Sequence, residues 1–540
     1  MRSILALCFH PAFTPPKSGG EERLFFVLTG LSNYNDVTLV SFTHPRKDNI
    51  IETVHHAEHF KEIRIPKTKI SSFLHYFVGK CSSINECSAV ITSIESRFNQ
   101  DFKKCVKREL QNADLLYFAS PFLSTLPRHF LNGKKIVYDA YNNEFELMTK
   151  VFSNSLLGKF FLRYVYALEG KLTEQCDLIF VVSEEDKNSL VRLYHADPEK
   201  IYLASNGIPV AAYDSVFFHR TAQKNPPVCL FIGSYHPPNI EAVSQILKFS
   251  SQLPDIVFLI AGNVAQFFIG QAGLTEPCGS EAFPFFKNPE KDITFLDGFY
   301  QTDYWDTIPV VWVQPESKIR VSEHIESISM KVFSPHVQMI RVTGTSVHEI
   351  LPLVSGWNFF TFLLPAHQEM TLSLTCEKEL LDPVRVLGVA IQSIDCVKNG
   401  TSLHIDLNEV HPRVSRFITS GNVYLLGQIS DDEKKELLKI SDIAINPMLS
   451  GSGTNIKVLA YLSAGVPTIT TPVGARGLDL IHQEHAIICD IGDFPEKIRE
   501  LLSDDHLADT LKKTGRNLVE KRYEWDLIVQ EMAEKMLRLT

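Results

Sequence analysis

Several things that would narrow the chemistry at once are scarce or missing in this sequence. Its ten cysteines form no Cys-x-x-Cys and no paired spacing. That excludes a zinc-ribbon pattern and argues for reduced thiols rather than a disulfide framework. There is no basic excess: 53 Lys and Arg against 63 Asp and Glu leave a formal charge of −10. No broad positive field therefore invites nucleic acid. No run approaches the roughly 20 apolar residues of a membrane span. The opening MRSILALCFHP has an apolar run only from Ile4 to Phe9, and no small-residue cleavage site follows His10-Pro11. It reads as a first buried strand rather than a signal peptide, and a cytoplasmic chain is expected. Asn399-Gly400-Thr401 fits a glycosylation acceptor but, without a secretory signal, reads as a turn. No internal repeat or low-complexity segment is present. Tryptophan is rare, with four in the chain, and Trp305, Trp312 and Trp357 fall close together.

What is present is ample apolar material, 44% of 540 residues, enough for three or four domain-sized units. The first part alternates strand-like runs with helical patterns. The strands are expected at 3–9, 36–42, 62–65, 113–118, 135–138, 177–182 and 200–203. Helices are expected at 21–31, 93–111, 156–174 and 184–193. Near-continuous apolar strands alternating with helices imply a parallel sheet covered on both faces. A second α/β unit starts with VCLFIGS at Val228. It lapses after Gly262 and resumes at Asn422. Between about 290 and 415 the texture changes to short strands, many alternating apolar and polar, with Pro, Gly, Asn and Asp in the gaps. This is the pattern of a β-sandwich, inserted into the second α/β domain. The three tryptophans of that insert suit its core better than a sugar-stacking surface. The helix at Leu156–Leu172, with Lys159 and Arg163, suits burial against the sheet; resting on a membrane is the other reading open to it.

The stretch GSGTNIKVLAYLSAGVPTITTPVGARGL, residues 451–478, carries the most chemistry. Glycines allow the backbone close to a ligand, and the amides of Ser452, Gly453, Thr454 and Asn455 precede a helix N-terminus, where anions are favoured. Lys457 in the first turn adds a full charge to a dipole effect of about 0.3–1 kcal/mol. Such a loop suits a diphosphate that gains charge as a bond to it breaks. A plain strand-loop-helix turn is the alternative. Gly19-Gly20 opens another helix and reads as a second close-approach loop or a tight turn. Arg23 behind it is a phosphate partner or a solvated charge. The loop Asp139-Ala140-Tyr141-Asn142-Asn143-Glu144 follows a buried strand, at the rim where ligands collect in open α/β sheets. Asp139, Tyr141, Asn142 and Glu144 are the candidate catalytic group; the alternative is that Asp139 and Glu144 merely cap and anchor the loop. Ser183 with Glu184, Glu185 and Asp186 reads as a helix cap. Asn206-Gly207 is a turn signal.

Several stretches together resemble the family 4 retaining glycosyltransferases (group 1, GT-B fold). PPKSGGEERL is similar to that family's N-terminal glycine loop, and IVYDAYNNEFE (136–146) to its strand-loop. CDLIFVVSEEDKNSLVRLYHADPEKIYLASNGI (176–208), VCLFIGSYHPPNIEAV (228–243) and the donor-site block from LLGQISDDEKK to ARGL match more closely. The resemblance implies an α/β GT-B fold, two Rossmann-like domains facing a cleft, with the all-β insertion in the C-terminal domain. It implies an acceptor domain over 1–212, a donor domain in two parts over 213–285 and 416–520, the insert over 286–415, and a crossover helix over 521–540. The activity implied is transfer from a nucleoside-diphosphate sugar to a glycan or lipid-linked acceptor, with no bound metal or other cofactor and no nucleic acid partner. Peripheral contact with the inner face of a membrane is compatible with such an acceptor. Donor-binding positions implied are Gly19, Gly20, Asn206, Gly233, Ser452, Gly453, Thr454, Asn455 and Lys457. The family's two glutamates of the donor block fall on Ser452 and Ala460, so both carboxylates are missing; losing a charged hydrogen-bond partner costs about 1.5–3 kcal/mol of binding. Ala460 is expected to face the cleft beside Lys457. A histidine usual in the family is Tyr141 here, and the Arg and Lys that many relatives carry near residues 236–239 are absent. These departures keep a rival reading open, a catalytically weak glycan-binding or scaffold relative.

Overall fold

The computed structural model describes the chain apart from residues 15, 17, 44–49, 70, 72, 75–77, 79–86, 126–132, 153–154, 220–224, 270–274, 279–291, 306–307, 366–367, 378–387, 406, 408–415, 420, 428, 452–453 and 540. Its strands assemble into three sheets. The first holds β1 (Arg2–Cys8), β2 (Asn35–Thr43), β3 (Glu52–Ala57), β4 (Phe60–Pro66), β5 (Leu115–Phe118), β6 (Lys135–Ala140), β7 (Leu178–Val181) and β8 (Ile201–Leu203), in the order β3-β4-β2-β1-β5-β6-β7-β8. Every neighbouring pair is parallel except β3 with β4. Its inner strands are apolar on both faces because helices cover both; Ile4 to Cys8 are all buried.

The helices follow the expected pattern with two differences. α1 (Gly19–Leu31) runs behind the first strand. The helix expected over 93–111 is two, α2 (Ser88–Ser96) and α3 (Gln100–Asn112). Asn99 makes the break: its side chain accepts the Phe102 amide at 3.0 Å and donates to the Pro66 carbonyl at 3.3 Å. That local bonding competes with a continuous helix. A short helix that the apolar pattern did not indicate, α4 (Glu144–Val151), starts at an Asn143 cap. α5 (Leu156–Gln175) buries Phe161, Val165, Leu168 and Leu172 and leaves Leu156 and Phe160 exposed. α6 (Glu184–Tyr194) begins at Ser183, whose hydroxyl accepts the Asp186 amide at 3.1 Å, the cap expected there.

The second sheet starts with β9 (Val228–Ile232), β10 (Val257–Ala261) and β11 (Thr275–Cys278), with α7 (Pro237–Phe249) after β9. The insert follows: β12 (Ile293–Trp305), β13 (Ile308–Val321), β14 (Ile325–Ser334), β15 (Gln338–Thr343), β16 (His348–Leu353), β17 (Gly356–Leu363), β18 (Met370–Thr375), β19 (Ala390–Lys398) and β20 (Thr401–Ile405). The second sheet then resumes with β21 (Arg416–Thr419), β22 (Val423–Gly427), β23 (Ile443–Asn446), β24 (Thr468–Thr470) and β25 (Ile487–Ile488), in the order β11-β21-β22-β10-β9-β23-β24-β25. Its helices include α8 (Asp431–Ile440), α9 (Ile456–Ser463), α10 (Asp505–Arg522) and α11 (Trp525–Leu537). The last helix returns to the first sheet's layer. Trp525 stacks on Phe26 at 5.7 Å, and a Cβ at Gly207 would stand 2.7 Å from the Trp525 ring. Only glycine lets that helix lie so close.

The insert is one connected nine-stranded antiparallel sheet, β16-β15-β18-β13-β19-β14-β17 with β12 on β13 and β20 on β19. Its strands turn one face toward a shared apolar cluster. β19 and β20 are joined at Asn399 (φ 48°) and Gly400 (φ 72°). Two positive φ values are what a tight hairpin turn requires, so the Asn-Gly turn reading holds. The tryptophans differ from expectation. None lies in the insert's core. Trp305 packs edge-on against Trp312 (5.7 Å), Phe333 (5.1 Å) and Trp357 (5.7 Å) on the outer face. The small Ala390 lies between Trp312 and Phe333 in the same cross-strand row, leaving room for that ring.

Candidate functional site

The two α/β units meet at the C-terminal rims of their sheets. Ile208 N–H donates to the Tyr523 carbonyl at 2.8 Å, and Val210 N–H to Glu524 Oε2 at 2.9 Å. Above this join, a Cβ at Gly19 would stand 2.9 Å from Ile456 Cδ1, so the first glycine loop touches the start of α9. Gly20 faces the Tyr141 ring, 3.7 Å from the same construction. The two loops singled out in the sequence are thus brought together.

On the N-terminal side the carboxylates are mostly committed. Arg23 is fully buried, neither a surface charge nor an open phosphate partner. Its guanidinium holds Asp139 in a fork (Nε to Oδ2 3.0 Å, Nη2 to Oδ1 2.6 Å) and donates to the Ser205 carbonyl and Asn206 Oδ1. Tyr117 donates to Asp139 at 2.7 Å. Asp139 is therefore an anchor of the loop; its oxygens are saturated and 2% of it is exposed. Glu169 on α5, which the sequence reading missed, accepts the amides of Glu144 (2.9 Å) and Phe145 (3.0 Å) and the hydroxyls of Tyr138 and Tyr194. It caps the N-terminus of α4, while burial pushes its carboxyl above the usual range against those four hydrogen bonds. Burial, and then the nearby Glu169, push the Glu144 carboxyl up to about 8, against an Asn142 hydrogen bond that lowers it. Glu144 is thus a proton donor at neutral pH. The Tyr141 hydroxyl is buried with no hydrogen-bond partner among the described residues. His10 is held at about 9: burial opposes its charge, but Cys8, the Pro11 carbonyl and Glu21 favour it.

The loop before α1 has its own clamp, also missed. Glu62 accepts the Ala12 amide at 3.0 Å while Arg64 donates to the Ala12 carbonyl at 3.1 Å. Against its burial, bonds from His56, Arg64, Ser41 and that amide hold the Glu62 carboxyl below its usual range.

On the C-terminal side lies a single ammonium. Lys457 is half-buried as a residue, but its nitrogen is enclosed. It donates to Asn239 Oδ1 at 2.6 Å, touches Met448 Sδ at 3.9 Å and sits 4.4 Å from the centre of the Phe231 ring. With no carboxylate among these partners, burial pushes its pKa down to about 7. Asn239 is in turn held by the Ser234 carbonyl at 3.0 Å. The amides of Thr454 and Asn455 have no backbone acceptor among the described residues, and the Thr454 hydroxyl is buried without a partner. Arg476, missed in the sequence, donates to the Gly451 carbonyl at 2.8 Å and braces a residue at φ 127°. Ser452 and Gly453 lie outside the described residues. Gly233 is packed rather than open: its amide donates to the Ala261 carbonyl at 2.9 Å, and a Cβ there would stand 2.9 Å from the Phe231 ring. Ala460 differs from expectation. It is 2% exposed and lies in the core under α9 instead of facing the cleft.

A crevice of about 470 Å³ opens nearby, between Ser183, Glu184 and Ser205 on one side and Gly477, Asp479 and Tyr523 on the other. It does not include Lys457. Gly477 links it to the loop before α9, since a Cβ there would stand 3.0 Å from Thr454 Oγ1. Among the described residues no cluster of His, Cys, Asp and Glu could hold a metal ion.

This architecture, two α/β units joined at their rims, is that of the GT-B fold. The sequence profile of glycosyltransferase family 4 matches residues 92–212, and that of glycosyl transferases group 1 matches residues 404–504. Both units therefore carry glycosyltransferase sequence, and the chain is an enzyme of that class. No curated protein sequence matches it. Among solved structures it is similar to sucrose-phosphate synthase from Thermosynechococcus elongatus (TM-score 0.54, 11% identity, 100% of this chain and 99% of that one). It is also similar to Anabaena HepE in complex with UDP and glucose (TM-score 0.50, 11%, 100% and 100%). The same holds for the E. coli trehalose-6-phosphate structure bound with UDP-2-fluoro glucose (TM-score 0.50, 10%, 100% and 99%). At such identities these likenesses concern the fold.

Proposed function

We propose that the chain is a retaining glycosyltransferase that moves a sugar from a nucleoside-diphosphate donor to a glycan or lipid-linked acceptor. The observation that carries this reading is Lys457, an enclosed ammonium with only neutral partners, at the start of α9 beside the amides of Thr454 and Asn455. A diphosphate there satisfies the charge and the amides together and is stabilised as it leaves. HepE with UDP and the E. coli structure with UDP-2-fluoro glucose hold ligands of this chemistry. Gly19, Gly20 and Asn206 shape the donor's surroundings. Across the cleft, protonated Glu144, Asn142 and the Tyr141 hydroxyl offer hydrogen bonds to an acceptor, while Asp139 keeps their loop in place. The donor's own phosphate takes the acceptor proton, so no strong protein base is needed.

In this reading residues 1–212 form the acceptor domain, 213–285 and 416–520 the donor domain, 286–415 a sandwich-like insert and 521–540 the crossover. The shared core of the insert supports the sandwich. The outward strip of α5, with Leu156 and Phe160 exposed beside Lys159 and Arg163, suits peripheral contact with the inner face of a membrane that bears the acceptor. No described helix is long and apolar enough to cross a membrane. One observation favours the rival reading, a weak or inactive scaffold: buried Ala460 leaves the donor ribose without the family's carboxylate. A hydrolysis panel of nucleoside-diphosphate sugars separates the two. One donor should be bound and hydrolysed, and Lys457→Ala should weaken it about tenfold to a hundredfold, the equivalent of a lost charged hydrogen bond. Failure of every nucleoside diphosphate to bind would favour the scaffold.

A further inference from the structure

Four strands of the inserted sheet are paired on one side only, β12, β16, β17 and β20, and the two that end its main path, β16 and β17, are built differently. β16 carries His348, Glu349 and Pro352, residue types that discourage an edge from pairing. β17 reads GWNFFTFL, eight residues with no charge and no proline. It is hydrogen-bonded on one side only, to β14. On its outer face Trp357, Phe359 and Leu363 are 42%, 67% and 77% exposed. Only the start of the strand is closed off: Asn358 accepts the Val354 amide at 2.8 Å and donates to the Val354 and Gly356 carbonyls at 2.9 Å. Among the described residues no other strand or loop pairs along the free edge.

We propose that β17 is a dimerisation strand, pairing antiparallel with β17 of a second copy across a twofold axis, so that two nine-stranded sheets become one. A long apolar edge is a template for another strand, and the partner that matches it in length, in lack of charge and in aromatic face is the same strand. Antiparallel self-pairing is an isologous contact that closes after two copies and does not propagate. Phe359 and Phe360 are the middle residues of the eight, so they lie nearest the axis. The strand spans roughly 27 Å. Its edge alone falls short of the ~800 Å² per partner of a stable interface; the exposed side chains of Trp357, Phe359 and Leu363 on the strand, and of Val354 two residues before it, add apolar area beside that edge. This pairing is independent of the donor chemistry.

Sedimentation velocity on the full chain tests it. The wild type should be a dimer at micromolar concentration, and Phe359→Glu should be monomeric, with dimer affinity lowered at least a hundredfold. That substitution places a carboxylate opposite Lys331, its cross-strand neighbour on β14, so far-UV circular dichroism should stay that of the wild type. Mixing Phe359→Glu with Phe359→Lys chains should restore the dimer. A monomeric wild type would overturn the proposal, including one that binds vesicles or oligosaccharide through β17 instead. A dimer that survives both Phe359→Glu and Leu363→Glu would also overturn it. So would slow, dilution-independent hydrogen exchange along β17 in a monomer, because the edge would then be covered within the chain.

Discussion

The two walls of the cleft treat buried charge in opposite ways. On the N-terminal wall nearly every buried charge has found its counterpart: Arg23 is forked onto Asp139, Glu62 is surrounded by His56, Arg64 and Ser41, and Glu169 takes two amides and two hydroxyls. On the C-terminal wall Lys457 has an amide oxygen, a thioether and an aromatic face. A satisfied charge network fixes shape, because moving any member strands the others. An ammonium with neutral partners is costly in the empty protein and gains most when an anion arrives.

The contrast breaks most visibly at Arg23. Arg23→Met leaves Asp139 buried without its partner, and removing one side of a buried pair costs about 3–5 kcal/mol. Denaturant unfolding should show that loss, and a change below 1 kcal/mol would mean that Asp139 is not held as charge. The next largest effect is on the other wall. The Lys457 pKa is lowered to about 7 from its ordinary 10.5 in the empty protein, and a bound diphosphate raises it again. Binding a nucleoside diphosphate then takes up a proton, and affinity should fall about tenfold per pH unit above 7. Calorimetry in buffers of different ionisation enthalpy reads the uptake; pH-independent affinity between 7 and 9 would remove Lys457 from the phosphate site. For stability the sign runs opposite to that of an ordinary paired lysine. Between about 7 and 10.5 the unfolded chain holds the extra proton, so this residue's penalty is full below 7 and fades as pH rises.

The smallest expected effect, read per pH unit, sharpens the comparison at Glu144, whose carboxyl has a hydrogen bond from Asn142 but stands beside Glu169 rather than a cation. Glu144 is raised from 4.5 to about 8, so the folded state holds the extra proton between those values and the residue costs stability as pH climbs through that window. Glu144→Gln should gain on the wild type as pH rises from 5 to 8, by up to about 1.4 kcal/mol per pH unit. Urea midpoints across that range measure it; parallel profiles would show that Glu144 is ionised throughout.

Much of this was legible in the residues because it is local. The apolar runs of β1, β6, β7 and β9, the cap at Ser183 and the Asn-Gly turn at 399–400 depend on neighbours a few positions away. Where a side-chain bond competes with periodicity the reading failed, as at Asn99, which splits one expected helix into two. The tryptophans failed for another reason. A strand such as GWNFFTFL is apolar on both faces, so alternation cannot say which face turns inward; Phe362 is the buried one and Trp357 is not.

The sequence alone determined the alternation of elements, the antiparallel texture of the insert and the loop at 451–457 with its lysine, since each follows from residue type and short spacing. Tertiary structure alone decided which charges are spent and which are waiting. Asn239 meets Lys457 across 218 positions, Arg23 meets Asp139 across 116, and Glu169 reaches the Glu144 amide across 25. Such partners are set by how sheets and helices pack, and pairing, more than residue identity, is what separates an anchor from a binding group.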